Sequence, residues 1–249
     1  MQTLMKKTGL MTAIAALLIL VAQTLIARAG SAAANLFTYD GIDPNGRFAW
    51  ISVHHIVQAV IALGVMWILS RFLKLDWYLR LGDKKTGLRS VAWFAAIFLG
   101  YTLVVYIIEG SLGSLNSYDF PLNTRNIMGT LGFQLLLSGP SEEILFRAFP
   151  IAILTCTLQR EIGIRFFKWH ISLPVIIAAV FFAVAHISWS ITKFYISFDP
   201  FQLVYAFVLG IIYGVIYQKS KSVLYPMMVH SISNFIMVGV GYCMASLNL

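Results

Sequence analysis

The stretch Ser138-Gly139-Pro140-Ser141-Glu142-Glu143-Ile144-Leu145-Phe146-Arg147-Ala148-Phe149-Pro150 sets two carboxylates and a guanidinium inside an apolar run from about Ile127 to Cys156. A run of that length is enough to span a bilayer. A charged side chain at a membrane-helix centre costs roughly 2.5–3.5 kcal/mol, so three cost on the order of 8–10 kcal/mol before any pairing. The strongly apolar residues between Leu131 and Leu154 return about 0.3–0.6 kcal/mol each, on the order of 5 kcal/mol together. The segment cannot face lipid alone. Neighbouring helices must give it a polar interior, and a membrane protein that keeps such an interior generally uses it.

Outward from this stretch the chain stays apolar. It is 59% hydrophobic and 11% charged, against about 25% charged in a soluble domain. Apolar runs of about 18 residues or more recur, so the fold class is all-α, a polytopic transmembrane helical bundle. The first run, Gly9 to Ala27, follows Lys6 and Lys7 and precedes the small residues of Ala27-Arg28-Ala29-Gly30-Ser31-Ala32. A cleaved signal peptide has that grammar too, but its apolar core spans about 7–15 residues, and this longer run reads as a retained helix. Two further spans, Ala49–Ser70 and Val91–Ile108, complete an N-terminal region of three spans over residues 1–110. Residues 111–249 hold four: the Glu-Glu span, Leu173–Trp189, Phe201–Tyr217 and Val223–Leu247. The count is seven spans, or six if the first is removed. Arg160 to His170, basic and aromatic, reads as interfacial, and Cys156 and Cys243 lie within apolar spans, which argues against a disulfide framework.

The formal charge of +8 raises nucleic acid as a partner, but the basic residues sort by loop instead. With the N-terminus inside, Lys6, Lys7, Arg71, Lys74, Arg80, Lys84, Lys85, Arg89, Arg160, Arg165, Lys168, Lys219 and Lys221 share one side. Arg28, Arg47, Arg125 and Lys193 share the other. Thirteen against four follows the positive-inside rule for seven spans, with the N-terminus cytoplasmic and the C-terminus outside. The expected location is integral to a bacterial plasma membrane, with lipid rather than nucleic acid around it.

Three polar patterns fall in the later spans. In Glu142-Glu143-x-x-x-Arg147, Glu143 and Arg147 share a helix face and can neutralise each other, leaving Glu142 as the odd carboxylate. Gly139-Pro140-Ser141 is expected to kink or restart the helix, and a restart would aim free N–H groups at the carboxylates. The other patterns are Phe182-x-x-x-His186 and His230-x-x-x-Asn234. One intramembrane His or Asn can simply link two helices. Three such patterns on separate spans, in a chain with five histidines and ten acids, point instead to a shared site. His54 and His55 project roughly 100° apart, so at most one faces any interior, and the pair reads as structural or interfacial.

The ordered set Glu-Glu-x-x-x-Arg, Phe-x-x-x-His and His-x-x-x-Asn, at 142–147, 182–186 and 230–234, resembles the signature of the CPBP family. That family comprises the type II CAAX prenyl endopeptidases and related bacteriocin-processing (Abi) membrane proteins. The resemblance covers about residues 125–245 and implies an intramembrane endopeptidase. In that reading Glu142 is the general base, His186 helps to hold the water, and His230 and Asn234 donate to the oxyanion. Glu143, Arg147 and Phe182 are supporting residues. The family has been described both as metalloprotease and as glutamate protease. If zinc is used, its ligands would be Glu142, His186 and His230, with water fourth. The chain has no His-Glu-x-x-His and Asn is a poor zinc ligand, so a metal-free glutamate mechanism is expected. No Gly-x-Ser-x-Gly occurs, and neither Cys sits in a motif. The expected partner is a membrane-anchored peptide: a prenylated C-terminus, a leader or a sorting tail. The alternative class is a non-catalytic membrane scaffold or immunity-type protein that holds partners through the polar cluster. A proton-coupled transporter is a third, against which the lack of an internal repeat argues.

Overall fold

The computed structural model describes residues 2–113, 117–158, 162–166, 169–190 and 194–247. Five of its helices are long and apolar enough to cross a membrane: α1 (Gln2–Ala34, with Gly9–Ala34 the crossing part), α2 (Ala49–Leu69), α3 (Lys84–Ser111), α8 (Pro200–Ser220) and α9 (Leu224–Ser246). Between α3 and α8 lies a composite helix of α4 (Thr124–Phe133), a π turn (Gln134–Ser138), α5 (Gly139–Glu143), a second π turn (Ile144–Ala148) and α6 (Phe149–Thr157). The short α7 (Leu173–Val184) follows, and two hairpins, β1–β2 (Gly163–Phe166, Trp169–Ser172) and β3–β4 (Ser188–Ser190, Tyr195–Ser197), flank it. Large apolar side chains of α1, α2 and α3, among them Leu17, Leu18, Trp67, Trp93 and Ile97, stay exposed as a lipid-facing girdle. The architecture is an all-α membrane bundle.

The loops meet at two ends. At one, the Asp83 N–H donates to Ser220 O (2.7 Å), the Val223 N–H donates to Tyr78 O (3.0 Å), and Ser172 Oγ donates to Gln218 Oε1 (3.0 Å). At the other, Arg47 pairs with Asp119 and Asn126 bonds Asn45, while Arg28 lies 4.6 Å over the Trp189 ring. The chain therefore runs back and forth seven times between these ends, counting the composite helix and α7. The Lys6 and Lys7 side chains and the residues Arg160, Lys168 and Lys193, five of the charges behind the topology expectation, lie outside the description.

Two expectations need correction. The span read as Leu173–Trp189 is helical only to Val184. Twelve residues make about 18 Å of helix, short of the roughly 30 Å hydrocarbon core, and the chain leaves the helix in a turn that carries His186. Only His186 and Ser188 interrupt the apolar run, too little for hydropathy alone to place the stop. Nor does the helix restart at Gly139-Pro140-Ser141. Ser138 and Gly139 are themselves helical, so no free N-terminal donors arise there. Each π turn ends two residues before a proline, Pro140 or Pro150. Proline removes an N–H and crowds the carbonyl one turn back, and a widened turn relieves that crowding. Pro150 cannot donate to Phe146 O in α register or to Leu145 O in π register. Both carbonyls take side-chain donors instead: Arg147 Nη1 at 3.1 Å and Gln23 Nε2, from α1, at 2.9 Å. The sequence defect thus ties the buried arginine and the first helix to the composite helix.

Small residues set the helix spacing. Gly210 and Gly214 on α8, four apart, receive Ala179 and Val175 of α7, the small-xxx-small contact of membrane bundles. Gly139 lets α5 approach α9, where an added Cβ would meet Met227 O at 2.7 Å and Ser231 N at 2.8 Å. Those are backbone atoms that cannot swing aside. Gly139→Ala is expected to cost about 1–3 kcal/mol, read as a lower unfolding midpoint in detergent; an unchanged midpoint would refute the close approach.

Asp43, in the loop before α2, is buried and accepts N–H bonds from Arg47 (2.8 Å), Phe48 (2.6 Å) and Ala49 (2.7 Å). Burial works to raise its pKa, but these donors and the Arg47 charge outweigh it and hold the pKa below the usual value. A depressed carboxylate contributes stability above its unfolded pKa and loses it as pH falls through the folded one. Asp43→Asn is therefore expected to cost about 0.5–2 kcal/mol at neutral pH, as a lost cap, with the gap to wild type closing in acid. A gap independent of pH would contradict this.

Candidate active site

The deepest layer is an ionic chain. Glu143 and Arg147, both 0% exposed, lie on the composite helix with Arg147 Nε 3.2 Å from Glu143 Oε2. The contact is within ion-pair range but off the hydrogen-bond axis, so Glu143 Oε2 and Arg147 Nε have no aligned partner. The guanidinium is also covered by aromatic faces, 4.3 Å from the Phe182 centroid and 5.6 Å from that of Tyr213. From α9, His230 Nδ1 reaches Glu143 Oε1 at 2.9 Å. A carboxylate accepts, so His230 donates from Nδ1 and presents Nε2 to the other side. Tyr213 stacks on the His230 ring (centroids 5.1 Å, planes 28°). Ser233 Oγ spends its proton on His230 O (2.7 Å), so the Tyr213 hydroxyl, 2.9 Å away, must be the donor to Ser233.

Glu142 stands above this layer, its side chain 19% exposed. His230 Nε2 lies 3.8 Å from its Oε2, and His55 Nε2 from α2 lies 3.8 Å from its Oε1. The carboxylate is bracketed by two imidazoles, one per oxygen. His186, in the turn after α7, has Nδ1 2.8 Å from Phe182 O. A carbonyl only accepts, so Nδ1 carries the proton and the neutral ring keeps its Nε2 lone pair free. Asn234 Nδ2 donates to Ser138 Oγ at 3.0 Å, which orients the carboxamide and leaves its second N–H available.

Glu142, His186, His230 and Asn234 line one cavity of about 250 Å³, with Phe182, Phe133, Tyr205, Leu209 and Met237 among its walls. Glu143 and Arg147 lie behind it rather than on its surface. An apolar groove of about 970 Å³ between α3 and α8 shares Tyr205 and Leu209 with the cavity. Sequence reasoning underrated His55, which it read as structural. The angular argument was sound, since His54 turns away to Ser31 and Trp50. Which of the two faced inward required the α2–α5 contact. Gln58 gave no signal between them, because it lies three residues from His55 and four from His54 and shares a helix side with both. Ser138 and Ser141 stood in the quoted stretch, Ser141 read only as part of a helix break and Ser138 given no role.

Among the described residues no group of three or more His, Cys, Asp or Glu is arranged to hold a metal ion. The imidazoles within 3.8 Å of the Glu142 carboxylate are those of His230 and His55, not His186, so Glu142, His186 and His230 are not gathered as a three-ligand set.

No curated protein and no solved structure matches the chain. Residues 124–236, the segment that supplies all seven motif residues from Glu142 to Asn234, match the family model of the type II CAAX prenyl endopeptidase Rce1-like proteins, a similarity that covers just under half of the chain.

Proposed function

We propose that this integral membrane protein is an endopeptidase that hydrolyses a peptide bond of a membrane-anchored substrate with water activated by Glu142. The observation that carries the reading is the single cavity in which Glu142, His186, His230 and Asn234 converge. A water between Glu142 and His186 gives one proton to the Glu142 carboxylate while His186 Nε2 accepts from its other O–H. The water oxygen bonds to the scissile carbonyl carbon, and the carbonyl electrons move onto oxygen. His230, doubly protonated between Glu143 and the cavity, and Asn234 donate to that oxyanion. Glu142 then passes its proton to the leaving nitrogen as the C–N bond breaks, giving a carboxylic acid and an amine.

The scheme keeps the buried charge balanced: with His230 protonated as the oxyanion donor, Arg147 and His230 offset Glu142 and Glu143. When Glu142 takes the proton, the oxyanion replaces its charge beside His230 and the sum stays zero. The substrate's lipid anchor fits the apolar groove that meets the cavity at Tyr205 and Leu209, which favours prenylated or acylated peptides over soluble ones. The loop charges favour a cytoplasmic N-terminus and an outside C-terminus. The test is incubation of the purified full chain with farnesylated, acylated and unlipidated peptides after exhaustive chelation. Cleavage of a lipidated peptide with activity retained supports the reading; loss on chelation with recovery on added zinc overturns its metal-free part.

A further inference from the structure

We infer that His55, on α2 and outside the segment that resembles the endopeptidase family, is a positioning residue for Glu142, held in one tautomer by a hydrogen-bond chain from Gln58. The inference rests on the proposed role of Glu142. Three contacts carry it. Gln58 Nε2 lies 3.4 Å from Ser141 Oγ, the Ser141 hydroxyl contacts His55 Nδ1, and His55 Nε2 lies 3.8 Å from Glu142 Oε1. An amide nitrogen can only donate, so the direction is fixed at its start. Ser141 accepts from Gln58 and has one proton to give, which goes to His55 Nδ1. The neutral imidazole then carries its own proton on Nε2, facing the carboxylate.

Gln58, Ser141 and His55 are all buried, at 3%, 2% and 6% exposure, so water does not compete for these bonds. The His55 ring is further held edge-on against Phe133, centroids 5.0 Å apart. His55 lines the same cavity as Glu142. The consequence is a division of labour between the two carboxylate oxygens. Oε1 is steered by the His55 N–H, while Oε2 faces His230, the side on which the oxyanion forms. The N-terminal half thus contributes to the site, which no part of residues 124–236 could do by itself.

Glutamine and asparagine separate this from a packing role. A Gln amide nitrogen superposes on His Nε2, and an Asn amide nitrogen on His Nδ1. His55→Gln should keep kcat within about threefold, whereas His55→Asn and His55→Phe should lower it about 10- to 100-fold with KM little changed, the range for a misplaced catalytic group. The probe is a quenched farnesylated peptide cut by the full chain in detergent. Equal losses in the Gln and Asn variants, or full activity in all three, would overturn the inference. A substrate-free arm is 15N NMR of histidine-labelled full chain. His55 should read as the Nε2–H tautomer and lose that preference in Gln58→Leu, and an Nδ1–H tautomer in wild type would overturn the inference. Wild type that cuts no lipidated peptide would count against the proposed activity alone, and the NMR arm would still decide the tautomer.

Discussion

Arg147→Ala should destabilise the protein by about 3–5 kcal/mol, the effect of removing one partner of a buried ion pair. The buried carboxylates of Glu142 and Glu143 would then face only the single cation that His230 can supply, and an excess buried charge is what makes such deletions costly. Two further losses add to it. Phe146 O, which cannot bond to Pro150, would lose its guanidinium donor, and the Phe182 ring would face a void where the guanidinium now lies at 4.3 Å. The double variant Glu143→Gln/Arg147→Met removes both charges and keeps the volume, and should recover most of the stability. Unfolding by SDS in mixed micelles reads all three proteins. Arg147→Ala as stable as wild type would mean that the ion pair is not closed off from water.

Glu142→Gln should behave in the opposite way, leaving the fold intact and lowering kcat by about 10²- to 10⁴-fold, the contribution of a positioned general base. Its side chain faces the cavity, its nearest ionic partners are 3.8 Å away, and Gln is nearly isosteric. A non-catalytic scaffold would tolerate the same change. The pair of substitutions therefore separates the two layers: removing Arg147 tests what the ionic chain holds together, and replacing Glu142 tests what the cavity does.

Much of this was legible from residue spacing. The Glu143–Arg147 pair followed from helical periodicity, and the structure has it at 3.2 Å. That Glu142, His186, His230 and Asn234 share a cavity was foreshadowed by the cost of burying such groups in lipid, because only a common interior lowers it. What was not legible depends on contacts between distant segments. Pro140 and Pro150 signalled an interrupted helix, but whether the chain would restart or widen depended on side-chain donors for the freed carbonyls. For Leu145 O that donor is Gln23, from the other end of the chain. The early end of α7 at Val184 has little hydropathy signature, since Ala185, Ile187 and Trp189 carry the apolar character on past it and only His186 and Ser188 interrupt them. His55 faced inward and His54 did not because Gly30 on α1 leaves room for the His54 ring, a fact that no single-helix argument contains.

The most direct measurement reconstitutes wild type and folded Glu142→Gln in vesicles with a farnesylated peptide and follows single-turnover product by mass spectrometry. The account predicts one new C-terminal carboxylate from wild type and a rate at least about 10²-fold lower from Glu142→Gln. Equal rates from the two proteins would contradict it.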